Sequence, residues 1–174
     1  RSDALEGKGM TVKLVSMDSA RLSWDHGDDA VTIDLGRVVA AGERIQVTVE
    51  YSGIPAAGLR IGDNKYGDRT FFSDNWSSRV RNWVPTVDHP YDKSANEFVV
   101  TAPSHYQVVS NGIQVESTDV GDNMRRTHWK NSAPVATWLY FVGVAEFAMQ
   151  QVDTFDGKPI ETWVYRQDRE QGFY

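Results

Sequence analysis

With 174 residues, 40% hydrophobic and 24% charged, the chain is long enough for one globular domain with a real core, or for two small ones. The absence of cysteine excludes disulfides, thiolate metal sites and a cysteine nucleophile, and a net charge of −6 argues against nucleic acid as the main partner. No apolar run approaches the roughly 20 residues that cross a bilayer, so no membrane span is expected.

Along the chain the dominant period is two. The opening RSDALEGKGM has no apolar signal core. Val12 and Leu14 alternate with Thr11 and Lys13, then Leu22 and Trp24 lead to a turn expected at His26-Gly27-Asp28-Asp29. Val31, Ile33 and Leu35 form the return strand, and Ala41-Gly42 closes another turn. Ile45, Val47, Val49 and Tyr51 alternate with Arg44, Gln46, Thr48 and Glu50, which predicts one buried and one wet face in an antiparallel sheet. Residues 58–67, rich in Gly, Asp and Asn, predict a loop, and Thr70 to Phe72 a short strand.

Residues 73–96 follow neither period and form a long irregular excursion, containing Pro85 and Pro90, which cannot donate to a ladder. Strand grammar resumes at Phe98 and Val100, runs through Tyr106 to Val109, turns at Ser110-Asn111-Gly112, and continues through Ile113 and Val115 to a tip at Gly121-Asp122-Asn123. Ala136 to Val144 is apolar nearly throughout and predicts a strand buried on both faces. Phe147 to Val152 and Ile160 to Tyr165 flank the hairpin dipeptide Asp156-Gly157. The expectation is all-β: a single antiparallel β-sandwich domain over residues 1–174.

Chemistry is sparse. The four histidines, His26, His89, His105 and His128, show no paired spacing for zinc, and there is no H-E-x-x-H. His26, His105 and His128 are expected to be solvated. His89 beside Asp88 could be a carboxylate-oriented imidazole, but a polar pair bracing the loop is the better expectation. No G-x-S-x-G supports a serine nucleophile, and no spacing selects a carboxylate pair among Asp68, Asp74 and Asp88. Arg125, Arg126 and Lys130 read as a solvated strand face. Trp76, Trp83 and Tyr91 could form a stacking platform in a free-standing glycan- or peptide-binding module, or they could cap the core.

The segment RVRNWVPTVDHPYDKSA, residues 79–95, resembles the amino-terminal domain of the aminopeptidase N family of zinc metallopeptidases, the M-one gluzincins. That family carries A-R-R-x-F-P-C-x-D-E-P-x-x-K-A-x-F, and Arg81, Pro85, Asp88, Pro90, Lys93 and Ala95 fall in register with it. VTVEYSG at 47–53, the Ser110-Asn111 turn and TWLYFVGVAEF at 137–147 agree in order with further family marks. The resemblance covers roughly residues 10–165 and implies a saddle-like antiparallel sandwich packed against a catalytic domain of the same polypeptide. Such a parent would release amino-terminal residues from peptides, using zinc held by an H-E-x-x-H and a downstream Glu in that other domain. This chain has neither H-E-x-x-H nor G-x-M-E-N, so it is expected to hold no zinc and to be non-catalytic alone.

Many members place T-Q-x-E before the arginines, to hold the substrate amine. Here Ser73, Asp74, Asn75 and Trp76 occupy those positions, which makes Asp74, Asn75 and Trp76 the candidates for a cleft rim. Asp74 could attract an ammonium by charge, and Trp76 could pack or make a cation–π contact. The family Glu of D-E-P is His89 here, and its Cys is Thr86. Arg79 or Arg81 is expected to pair with Asp88, with the prolines stiffening the loop. Both chain ends read as cut points, and the family's opening strands are expected to be missing before residue 10. An extracytoplasmic bacterial location fits the resemblance, although no signal in the sequence marks it.

Overall fold

The structure, a computed structural model, describes residues 7–173; residues 1–6, read above as lacking an apolar core, lie outside the described residues. In chain order the strands are β1 (Gly9–Met17), β2 (Ala20–Arg21), β3 (Ser23–Gly27), β4 (Ala30–Asp34), β5 (Val47–Ile54), β6 (Leu59–Asp63) and β7 (Arg69–Ser73). After the irregular excursion come β8 (Ser94–Pro103), β9 (Gln107–Ser110), β10 (Ile113–Gly121), β11 (Met124–Val135), β12 (Val142–Ala145), β13 (Phe147–Phe155) and β14 (Lys158–Tyr165). A single helical turn, α1 (Arg169–Gly172), follows. The described strands pair antiparallel in the orders β2-β1-β5, β10-β11-β8 and β6-β7-β12-β9, with separate hairpins β3-β4 and β13-β14. The domain is an all-β, sandwich-like fold, as its period-two pattern predicts.

Two-residue turns set the hairpins. Asp28-Asp29, Asp122-Asn123 and Asp156-Gly157 all have positive φ, the geometry that matches the right-handed twist of the flanking strands. Asp and Asn tolerate this conformation because their short side chains can bond locally. The first turn therefore lies two residues beyond His26, which sits within β3 opposite Val31 rather than at the tip.

The core joins two sheets. Val108 of β9 and Val142 and Val144 of β12 meet Trp129 of β11, with Phe71, Phe98 and Val100 packed around them. Trp129 is able to sit inside because its indole N–H donates to the Val108 carbonyl at 2.9 Å. Along β5 the expected alternation holds for Val47, Val49 and Tyr51, but Ile45 lies before the strand and is 39% exposed. Burial raises the pKa of the Tyr51 phenol. In β1 a bulge between Val12 and Leu14 shifts the pairing, and Val15 becomes the fully buried residue.

Two expectations are overturned. Half of residues 58–67 is strand: β6 pairs with β7 over Leu59–Asp63, and the Asn64 side chain accepts from the Tyr66 and Asp68 N–H groups to shape the connection. The run Ala136 to Val144 is not one strand. A 3-10 turn at Thr137–Leu139 interrupts it, Leu139 is half exposed, and only the part within β12 is buried on both faces. The turn is closed by the Leu139 N–H on the Ala136 carbonyl and the Tyr140 N–H on the Thr137 carbonyl, both at 2.9 Å, and just beyond it the Phe141 N–H donates to the Asn111 side chain at 2.6 Å.

Candidate functional site

The irregular excursion between β7 and β8 is pinned from within. Asn75 is 4% exposed, donates from Nδ2 to the Tyr140 carbonyl at 2.5 Å and accepts from Trp83 Nε1 at 2.9 Å. Those partners fix the amide orientation, since a carbonyl needs a donor and an indole N–H needs an acceptor. Asp88 is the second anchor. Its Oδ1 accepts the Thr137 hydroxyl at 2.7 Å, while Oδ2 lies 3.3 Å from the Arg81 N–H and 3.4 Å from Arg81 Nε. Between them runs a 3-10 turn, Val80–Asn82, with Val80 fully buried. The Asp74 N–H reaches back to the Gly58 carbonyl at 2.7 Å.

The side chains on either side of Asn75 point outward. Asp74 Oδ2 takes two guanidinium groups, Arg60 at 2.6 Å and Arg79 at 2.9 Å. Its charge is already matched, and the cluster carries a surplus positive charge, so Asp74 does not present the free carboxylate that an incoming ammonium would need. Arg79 thus serves Asp74, and Arg81 serves Asp88. Trp76 is 65% exposed, and its ring lies 4.6 Å from that of Trp138, tilted by 31°. Trp138 stands on the 3-10 turn flanked by Thr137 and Tyr140, the partners of Asp88 and Asn75.

The other candidates lie apart. Asn75, expected at the rim, is turned inward because its amide satisfies two buried groups. His89 is exposed while Asp88 is buried, so they form no pair. The imidazole stacks on Tyr91 at 5.2 Å, and its Nδ1 accepts the Tyr91 N–H at 3.3 Å. Trp76, Trp83 and Tyr91 do not build one platform. Trp83 stacks on Phe98 at the core, while Tyr91 is 91% exposed beside His89. Pro85, Pro90 and Lys93 are exposed, and Pro85 borders an apolar groove of about 720 Å³ shared with Val31, Val49 and Tyr51.

His128, expected to be solvated, is half-buried and approaches Glu97 at 2.9 Å. Lys130 and then His128 hold the Glu97 carboxyl below its usual pKa. Arg126 pairs with Glu116 and Arg125 with Asp119. Sequence reasoning missed Thr137, Trp138, Arg60 and Gly58. Trp138 was hidden in an apolar run, and Gly58 in a segment read as loop.

Among the described residues there is no group of three or more His, Cys, Asp or Glu that could hold a metal ion. No described helix is long and apolar enough to cross a membrane.

Comparison with known proteins places the geometry in context. The family model described as the Peptidase M1 N-terminal domain matches residues 7–139. Glutamyl aminopeptidase of Mus musculus is 28% identical over 102 residues, which are 59% of this chain and 11% of that protein. The chain thus spans about a tenth of the curated relatives it matches. Among solved structures, an M1 zinc metallopeptidase from Deinococcus radiodurans superposes with a TM-score of 0.76 at 20% identity, over 90% of this chain and 37% of that one. A two-domain M1 zinc metallopeptidase variant bound to L-tryptophan gives 0.77 at 18% identity, over 90% and 38%.

Proposed function

The chain belongs to the Peptidase M1 N-terminal domain family, and from that membership we propose that it is the non-catalytic amino-terminal β domain of a zinc aminopeptidase. In this reading it packs against the catalytic domain of the same polypeptide and shapes the rim of that domain's substrate cleft. The parent releases amino-terminal residues from peptides, and its zinc sits in the catalytic domain rather than among the residues described above.

One observation carries the rim role. The segment 74–93 is anchored on its inner side by Asn75 and Asp88 while it holds Trp76 out in solvent. A loop that is internally satisfied yet displays a large aromatic is built to present that side chain. The exposure of Trp76 beside the buried Asn75 is what supports this reading.

The test uses the full-length polypeptide with Trp76→Ala. Expected is a severalfold rise in KM for peptide substrates with an unchanged thermal midpoint. A KM unchanged for every peptide overturns the rim role.

A further inference from the structure

We propose that an aromatic cavity beside β14 receives a cationic side chain of the catalytic domain and so fixes how the two domains dock. The inference rests on the packing reading above and deepens it by naming the docking face and the chemistry of its partner.

The cavity, about 510 Å³, is lined by five rings: Phe72 of β7, Phe141 just before β12, Phe147 of β13, and Trp163 and Tyr165 of β14. Phe147 is central. It stands edge-on to Phe72 at 5.9 Å and to Trp163 at 6.1 Å, and stacks on Tyr165 at 6.0 Å. The strand pairing produces this cluster, because Phe147 and Tyr165 are cross-strand partners and Trp163, two residues before Tyr165, shares its face of β14. All five rings are half-buried, so each keeps some surface open. Their backbone is held from the sheet side: the Phe147 N–H donates to the Gln107 side chain at 2.8 Å, and the Phe141 N–H to Asn111 at 2.6 Å. Little conformational freedom remains to be lost when a partner group enters.

Charge selects the occupant. The two charged residues on the lining are both acids, Glu161 and Asp168. Asp168 is already answered by Lys65 at 2.8 Å. Glu161 is not: its Oε2 accepts the Trp163 indole N–H at 3.0 Å, and no cation among the described residues pairs with it. Lying two residues before Trp163, it shares the face that carries the rings. A carboxylate beside aromatic faces attracts a cation twice, by its own charge and by the ring quadrupoles. A guanidinium fits best, since it stacks on rings and forks onto a carboxylate. A neutral apolar side chain would cover the rings but leave Glu161 desolvated with no counter-charge.

Position selects the source of that cation. Phe72 lies directly opposite Arg60, so both project from one side of the sheet, and Arg60 bonds Asp74 at the foot of the candidate rim. Arg60 is thereby engaged and does not line the cavity. The rings and the rim segment are continuous on one face, so a domain whose cleft that segment borders also lies over the rings.

Hydroxyl-radical labelling of the full-length polypeptide, read by mass spectrometry, measures how far Trp163 and Tyr165 are covered. Labelling should be low in the unmodified protein and rise severalfold with Glu161→Lys. Glu161→Gln, which keeps the shape and still accepts the Trp163 N–H, should raise it less. Salt at about 1 M should raise it in the unmodified protein and add little in Glu161→Gln, because screening acts on the ion pair alone. These two arms stand even if Glu161→Lys misfolds. Solution scattering reads domain packing separately. Labelling that stays low with both substitutions and in salt overturns the cation while leaving the packing standing. High labelling in an unmodified protein with a compact scattering profile places the docking face elsewhere and overturns the proposal. An extended profile removes the packing reading and the proposal with it.

Discussion

Replacing Asn75 by alanine should destabilise the domain more than its place in an irregular segment would indicate. The amide bridges two groups, the buried Tyr140 carbonyl at 2.5 Å and the part-buried Trp83 indole N–H at 2.9 Å. Removing it leaves the indole N–H without a partner, and leaves the carbonyl only a 3.4 Å contact from Ser73 Oγ. A buried polar group stripped of its partner costs about 1–3 kcal/mol. With one group fully orphaned and the other partly so, the expected loss is about 2–4 kcal/mol. For a domain of this size that corresponds to a fall in Tm of about 4–16 °C. Urea denaturation should show the midpoint moving with little change in slope. A double-mutant cycle locates the effect: Trp83→Phe removes the orphaned N–H, so it should cost less in the Asn75→Ala background than in the unmodified chain, with a coupling of about 0.5 kcal/mol or more. Asn75→Asp should be no better than alanine, because a carboxylate cannot donate to Tyr140 and is itself buried. A loss under about 1 kcal/mol for Asn75→Ala, or strict additivity in the cycle, would refute the role of Asn75 as anchor.

Two further outcomes are expected. Gly58 has φ +81°, and a Cβ there would overlap the Arg79 carbonyl and crowd the Trp83 ring, whereas Gly67 has φ +86° and open space. Gly67→Ala should therefore cost only the left-handed backbone strain of about 1–2 kcal/mol, and Gly58→Ala clearly more by urea denaturation; equal costs would contradict the close approach of the loop. Asp168 receives the Lys65 ammonium at 2.8 Å and the Tyr66 hydroxyl, and these, Lys65 foremost, hold its carboxyl below the usual range. A depressed folded-state pKa means that this tie between the β6–β7 connection and the turn after β14 is fully present above about pH 4 and is lost as pH falls further. Hydrogen exchange at residues 64–68 should accelerate below that pH, and Asp168→Asn should remove the dependence.

How far the sequence could be read follows from what each element depends on. Hairpins with Asp, Asn or Gly at both turn positions were legible because the turn chemistry is local. β5 was legible because one of its faces is wet, so polarity alternates. The β6–β7 hairpin was not, since Gly62 and Asp63 carry the signature of a loop and only their pairing with β7 makes them strand. The interrupted run from Ala136 to Val144 failed for the opposite reason. Apolar content indicates burial but not path, and the chain leaving the turn is held by Asn111, thirty residues away in sequence from Phe141.

The same division applies within the candidate site. Asp88 and Arg81 could be picked out because charged groups among prolines stand out, yet Thr137, which completes the Asp88 site, carries no such mark. Asn75 looked like a displayed polar residue and is a buried brace; Trp138 looked like core and faces its partner at the surface. The two assignments are linked. Asn75 can hold Trp76 outward only by turning inward to Tyr140, and that bond brings the turn bearing Trp138 alongside. Local pattern cannot show this, because the residue that positions the aromatic pair and the backbone that receives it are 65 residues apart. The anchoring is polar and internal, while Trp76 stands 65% exposed and Trp138 is half-buried against it. Changes at Asn75 or Asp88 should therefore lower stability more than a change at Trp76, which is 65% exposed.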